Sequence, residues 1–291
     1  MIESAAKVLV GTILYVAVLW AARRNPRAAG MMLTFPTLNG ITMLVTQPSE
    51  LSPIVGTMLL IPFINGLFCA LYLSGFDRVV RAGFSPPAAS GLLIGCVSVV
   101  WLTTAWVISQ NGWNVPADDR NVYALALVLG GSLLTWLLPV RRAKALHASA
   151  SARLGHLLHR NRIRIGLFAI ALSAVLIVDR LEHSPAVVGL LSALPLIAFF
   201  TLHTLASDPE LSPTARREEL AIMANGVWFG PAVAVVFIVG FWRWLAALAG
   251  HVDDTGYLAV GVPSLLVGWG LCIAAIWACE RLLRRLAAQV A

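Results

Sequence analysis

Nine apolar stretches, each about as long as a membrane crossing, follow one another through this 291-residue chain. They fall at roughly 5–22, 29–47, 53–74, 87–109, 121–140, 163–180, 186–206, 221–247 and 257–280. A hydrocarbon core about 30 Å thick is crossed by a helix of about 20 apolar residues. Lipid offers no partner to a backbone N–H or C=O, so only helices and closed barrels cross it. The alternation of a barrel strand is absent here. The sequence therefore predicts an all-α fold, a polytopic membrane helix bundle with about nine transmembrane helices. Only 12% of the residues are charged, against about 25% in a soluble domain. No gap between the apolar stretches is long enough to fold alone. The N-terminus has no basic region ahead of a small-residue cleavage site, so the first stretch reads as a retained helix.

Orientation follows from the basic residues, which collect on the cytoplasmic side of a membrane protein. The segment 141–164 carries Arg141, Arg142, Lys144, Arg153, Arg160, Arg162 and Arg164 and no acid. Placing it inside puts all but four of the 21 basic residues inside. The exceptions are Lys7, Arg120, Arg180 and Arg243. This predicts an inner (plasma) membrane protein with its N-terminus outside and its C-terminus in the cytoplasm. The net charge of +7 is then a topology signal, and no basic run carries the interleaved aromatics of a nucleic-acid groove. The connector 141–164 reads as a basic helix lying on anionic lipid or as a solvated link.

The chain also repeats itself. Pro26, Gly30 and Pro36 recur as Pro185, Gly189 and Pro195, 159 residues later. Glu50-Leu51-Ser52-Pro53 recurs as Glu210-Leu211-Ser212-Pro213, and Asn65-Gly66 as Asn225-Gly226, 160 residues later. Spans one to four match spans six to nine, with span five left over. One linker helix makes the second copy enter from the opposite side, so two inverted four-helix repeats are expected (4+1+4). The divisions are 1–110 for the first repeat, 111–162 for the linker helix and connector, and 163–291 for the second repeat.

Pro36 and Pro195 fall inside spans two and seven. A mid-helix proline removes a hydrogen bond and frees a carbonyl, which in lipid must find a partner. Thr37, Asn39, Gly40 and Thr42 follow Pro36; Thr201, His203 and Thr204 follow Pro195. Discontinuous helices with polar groups at half depth are how many secondary transporters build their sites. His203 is the one histidine well inside a span, and an intramembrane ionisable group is a functional candidate. Its first-repeat counterpart is Leu44, and that of Ala198 is Asn39, so a site here is chemically asymmetric. Asn65 and Asn225 offer amides for interhelical bonds. Gly91 and Gly95, and Gly226 and Gly230, have the spacing of close helix contacts. Arg243, between Trp242 and Trp244, reads as an interfacial anchor.

No span centre carries Asp or Glu, which disfavours an exporter of organic cations. No nucleophile–base pair, metal set or phosphate loop is visible, so neither an enzyme nor a bound cofactor is expected. The cysteines Cys69, Cys96, Cys272 and Cys279 read as core residues.

Ala29-Gly30-Met31-Met32-Leu33-Thr34-Phe35-Pro36-Thr37 resembles the glycine-then-Phe-Pro-Thr segment of the GlpM-like small four-helix inner-membrane proteins. In the second copy, Gly189 and Pro195 are kept, and His203 is similar to the histidine that follows the family's Phe-Pro-Thr. Met223-Ala224-Asn225-Gly226-Val227-Trp228 lies where the family has a Met-Trp third helix. The resemblance implies two such units fused through span five, and a loose link to envelope polysaccharide production.

The expected function is secondary transport of a small solute by alternating access between the repeats. Its substrate site would comprise Asn39, Thr42, Asn65, Thr201, His203 and Asn225 beside the helix breaks at Pro36 and Pro195. The alternative is a non-transporting subunit that scaffolds an envelope polysaccharide or lipid-handling complex. Expected partners are membrane lipid, a small solute, and a second copy or an envelope-complex component.

Overall fold

The computed structural model describes residues 2–33, 37–45, 54–55, 58–59, 61–110, 154–181, 195–227, 229–251 and 254–289. Pro36, Gly189 and span five lie outside them. The described residues are 91% helical and contain no strand. Ten helices are numbered here as α1 (Ile2–Arg24), α2 (Pro26–Met32), α3 (Thr37–Val45), α4 (Ile61–Arg81), α5 (Pro86–Gln110), α6 (Leu154–Leu181), α7 (Leu196–Ala206), α8 (Pro213–Val227), α9 (Phe229–Ala249) and α10 (Asp254–Gln289). Three of them contain segments long and apolar enough to cross a membrane: Pro86–Thr103 in α5, Gly230–Ala249 in α9 and Ala259–Ala278 in α10. The chain thus has the character of a membrane protein.

Prolines set where helices begin, because the first turn has no use for their missing N–H. Asn25 caps α2 by accepting from the Ala28 N–H at 3.2 Å, with Pro26 next in line. Ser212 caps α8 in the same way, accepting from the Ala215 N–H at 3.2 Å ahead of Pro213. The repeated Glu-Leu-Ser-Pro motif therefore encodes a helix start in the second copy. Within the stretch expected at 29–47 lie α2 and α3, and within that expected at 221–247 lie the end of α8 and α9. The helix at 154–181 begins well before its apolar stretch, so nearly half of the basic connector lies in the first turns of α6.

α1 and α6 run antiparallel. Gly11 lies against Leu172, Tyr15 stacks on Phe168 at 4.6 Å, and Arg23 and Arg160 both reach Asp208. α4 packs on α5, and α9 on α10. α5 also packs on α7, and α10 on α3.

The tightest approach is between α2 and α8. A Cβ on Gly30 would collide with the Met223 carbonyl, and one on Gly226 with the Arg27 carbonyl. Only glycine permits two backbones so close. Gly91 and Gly95 differ: a Cβ on either meets nothing within 4 Å, so that glycine pair is not a helix contact among the described residues. Around this crossing Ala28, Ala29, Met31, Leu202, Leu205, Met223 and Val227 form the main core. Outward, Leu92, Val99, Ile163, Ile170, Val236, Leu266 and Leu271 are exposed, as lipid-facing side chains would be.

Candidate functional site

α7 is the polar centre of the described bundle. It starts at buried Pro195, which gives no side-chain cap. From its far half two polar residues, His203 and Thr204, reach different neighbours. His203 Nδ1 meets Ser90 Oγ on α5 at 3.1 Å. Ser90 Oγ in turn meets the Tyr72 hydroxyl on α4 at 2.6 Å, and that hydroxyl also lies 3.4 Å from the Leu202 carbonyl. On another side, Thr204 Oγ1 meets the Tyr15 hydroxyl on α1 at 2.9 Å. Arg164 on α6 donates to the Thr204 carbonyl at 3.5 Å. Thr201, with no exposed surface, has a hydroxyl with no hydrogen-bond partner among the described residues. A buried unmet hydroxyl costs about 1–3 kcal/mol, a cost that a ligand or water would relieve.

The predicted site residues divide into two groups. His203 and Asn65 both meet α5, through Ser90 and through Trp101, whose Nε1 donates to Asn65 Oδ1 at 2.9 Å, and Thr201 is buried on α7. Asn39 and Thr42 are buried on α3, which packs on α9, α10 and α1. Asn225 is in α8, but its side chain lies outside the described residues, as does Pro36. Thr42 and Thr201 are repeat equivalents, and both are buried. Sequence reasoning missed Tyr72, Ser90 and Tyr15. A tyrosine or serine within an apolar run carries no sign of which distant helix it will meet.

A charged cluster closes one end of the bundle. Asp208, 2% exposed, pairs with Arg23 and Arg160, and Arg160 also pairs with Glu210. Arg216 donates to the Asp208 carbonyl at 2.6 Å. Asp77 joins Arg217 and Arg81. Residues that charge counting assigns to the cytoplasm therefore gather at one end. Glu219 lies among them, and burial raises its carboxyl above the usual range against the pull of Arg23 and Arg216. Asp208, just past the end of α7, is the hub that ties α1 and α6 to the turn before α8.

Among the described residues no three His, Cys, Asp or Glu side chains gather as a metal site requires. A separate cavity of about 800 Å³ between α9 and α10 is almost wholly apolar. No family model, no curated protein and no solved structure matches this chain.

Proposed function

We propose that this chain is a secondary transporter of a small solute in a bacterial-type inner membrane, working by rocking one inverted four-helix repeat against the other. The observation that carries the proposal is the Tyr72–Ser90–His203 chain of polar contacts, set beside the unmet Thr201 hydroxyl on a helix that begins at a proline. Histidine changes charge near neutral pH, and hydroxyls bonded in series can pass a proton along. A polar chain of this kind in a membrane bundle suits proton coupling.

The inverted arrangement draws support from the packing. A second copy entering from the opposite side requires the first helix of each copy to run in opposite senses, as α1 and α6 do. Neighbour pairs also match under the repeat: α4–α5 with α9–α10, and α5–α7 with α10–α3. Four helices per repeat, the linker helix, and an outside N-terminus with a cytoplasmic C-terminus remain parts of this same proposal. So does kinship with GlpM-like proteins.

The test is charge movement on solid-supported membranes carrying the purified protein. Sugars, amino acids and organic acids are applied in turn under an inward proton gradient. The expected result is a solute-dependent current that falls about 100-fold in His203→Leu and several-fold in Tyr72→Phe, with both variants folded. Silence across the panel sinks the transport reading. The scaffold reading draws on a different observation, the dry backbone crossing of α2 and α8, and predicts co-purification of an envelope-complex partner with wild type and His203→Leu alike.

A further inference from the structure

The cavity between α9 and α10 belongs to neither the α7 network nor the charged end. It runs from Ala232 to Trp244 on α9 and from Pro263 to Ala275 on α10. At 1.5 Å per residue that is a groove about 18 Å long. One leaflet of a bilayer has a hydrocarbon depth of about 15 Å, half of the whole core. The walls are Val, Ala, Leu and aromatic side chains, with Val236, Val267 and Leu271 exposed along them. The Ser264 hydroxyl in the wall is bonded back to the Val260 carbonyl at 2.8 Å, so it offers nothing to a polar solute.

The two ends of the groove differ. On a helical projection at about 100° per residue, Arg243 falls on the same arc of α9 as the lining residues, between Val236 and Ala232. It lies next to Trp244, which closes that end, and Trp242 flanks it on the other side. Tryptophan pairs of this kind settle at headgroup level, where a guanidinium meets phosphate bidentately. The groove floor is kept open at Gly240, where a Cβ would meet nothing within 4 Å.

We infer that this groove is a specific phospholipid site: one acyl chain lies along α9 and α10, and the lipid phosphate is held at Arg243. The inference requires only that α9 and α10 lie in lipid; it does not depend on transport. Arg243 anchors a lipid molecule in addition to anchoring the helix at the interface.

The experiment is native mass spectrometry of the full chain released from detergent micelles containing dioleoyl phosphatidylglycerol. Wild type is expected to retain one phospholipid per chain. Gly240→Phe fills the groove and is expected to reduce retention at least tenfold. Arg243→Gln is expected to weaken it about fivefold, the effect of one basic residue at a lipid surface. Gly95→Phe, at an equally open glycine on α5, is the control and is expected to retain lipid as wild type does. Retention unchanged in Gly240→Phe overturns the proposal, as does equal loss in Gly95→Phe. So does a wild-type dimer that Gly240→Phe converts to monomer, since a second copy would then be the occupant.

Discussion

α3 and α7 fall at matching positions of the repeated sequence, 159 residues apart, and they differ in the polar side chains they carry. Thr42 and Thr201 coincide, and both are buried. Beyond them the copies part. His203 replaces Leu44 and Thr204 replaces Val45, and these two residues link α7 to α5 and α1. Leu44 instead packs in an apolar cluster with Met43, Ile238 and Leu245. The same divergence continues past the helix. The second repeat has Asp208 where the first has Pro48 or Ser49, and Glu219 where the first has buried Leu59. The two stretches of repeated sequence thus differ most at ionisable and hydroxyl side chains.

The comparison can be broken most forcefully at Asp208. Asp208→Asn leaves Arg23 and Arg160 without their shared carboxylate. We expect a loss of about 3 kcal/mol, the lower end for a broken buried pair because both arginines retain some solvent contact. Denaturant or thermal unfolding in detergent measures it; a loss under about 1 kcal/mol, the range of an exposed pair, would show that the cluster is incidental. Making α3 resemble α7 is next. Leu44→His buries an imidazole among Met43, Ile238 and Leu245, and costs about 2 kcal/mol. If it is tolerated without loss, the imidazole has found a partner beside α3 and the contrast with α7 is shallow.

Glu219 tests the same contrast through pH. A carboxyl whose folded pKa lies above its unfolded value favours folding only at low pH. That contribution is lost as pH rises from about 4.3, the unfolded value, through the folded value. Glu219→Gln, closer to Leu59, is therefore expected to raise the melting temperature at neutral pH and change little near the unfolded pKa. A lower melting temperature at neutral pH would mean that the ion pairs with Arg23 and Arg216 outweigh burial. The smallest effect is at Thr201. Its hydroxyl has no partner among the described residues, so Thr201→Val removes a buried unmet group and should raise stability by about 1 kcal/mol while weakening solute-dependent current. A loss of stability would reveal a structural bond.

Much of the helical framework is legible in the chain. The stretch expected at 87–109 is α5 at 86–110, because Pro86 and Pro87 mark its start and the run is uniformly apolar. The stretch expected at 257–280 lies within α10. The partners of the site are not legible. Ser90 and Tyr72 lie 113 and 131 residues from His203, and no periodicity encodes which helices meet. Asp208 resembles an ordinary end-of-span acid because the arginines that neutralise it, Arg23 and Arg160, come from distant helices.

The glycine notch between α2 and α8 sets the mechanics of any rocking motion. A contact made of side chains can slide by changing rotamers; Gly30 and Gly226 have none to change, and each is seated on the other helix's peptide plane. Such a joint can tilt but not ratchet. In the rocking motion we propose, it would serve as the fulcrum, with the charged end at Asp208 and the α3–α10 end as the two arms of one lever.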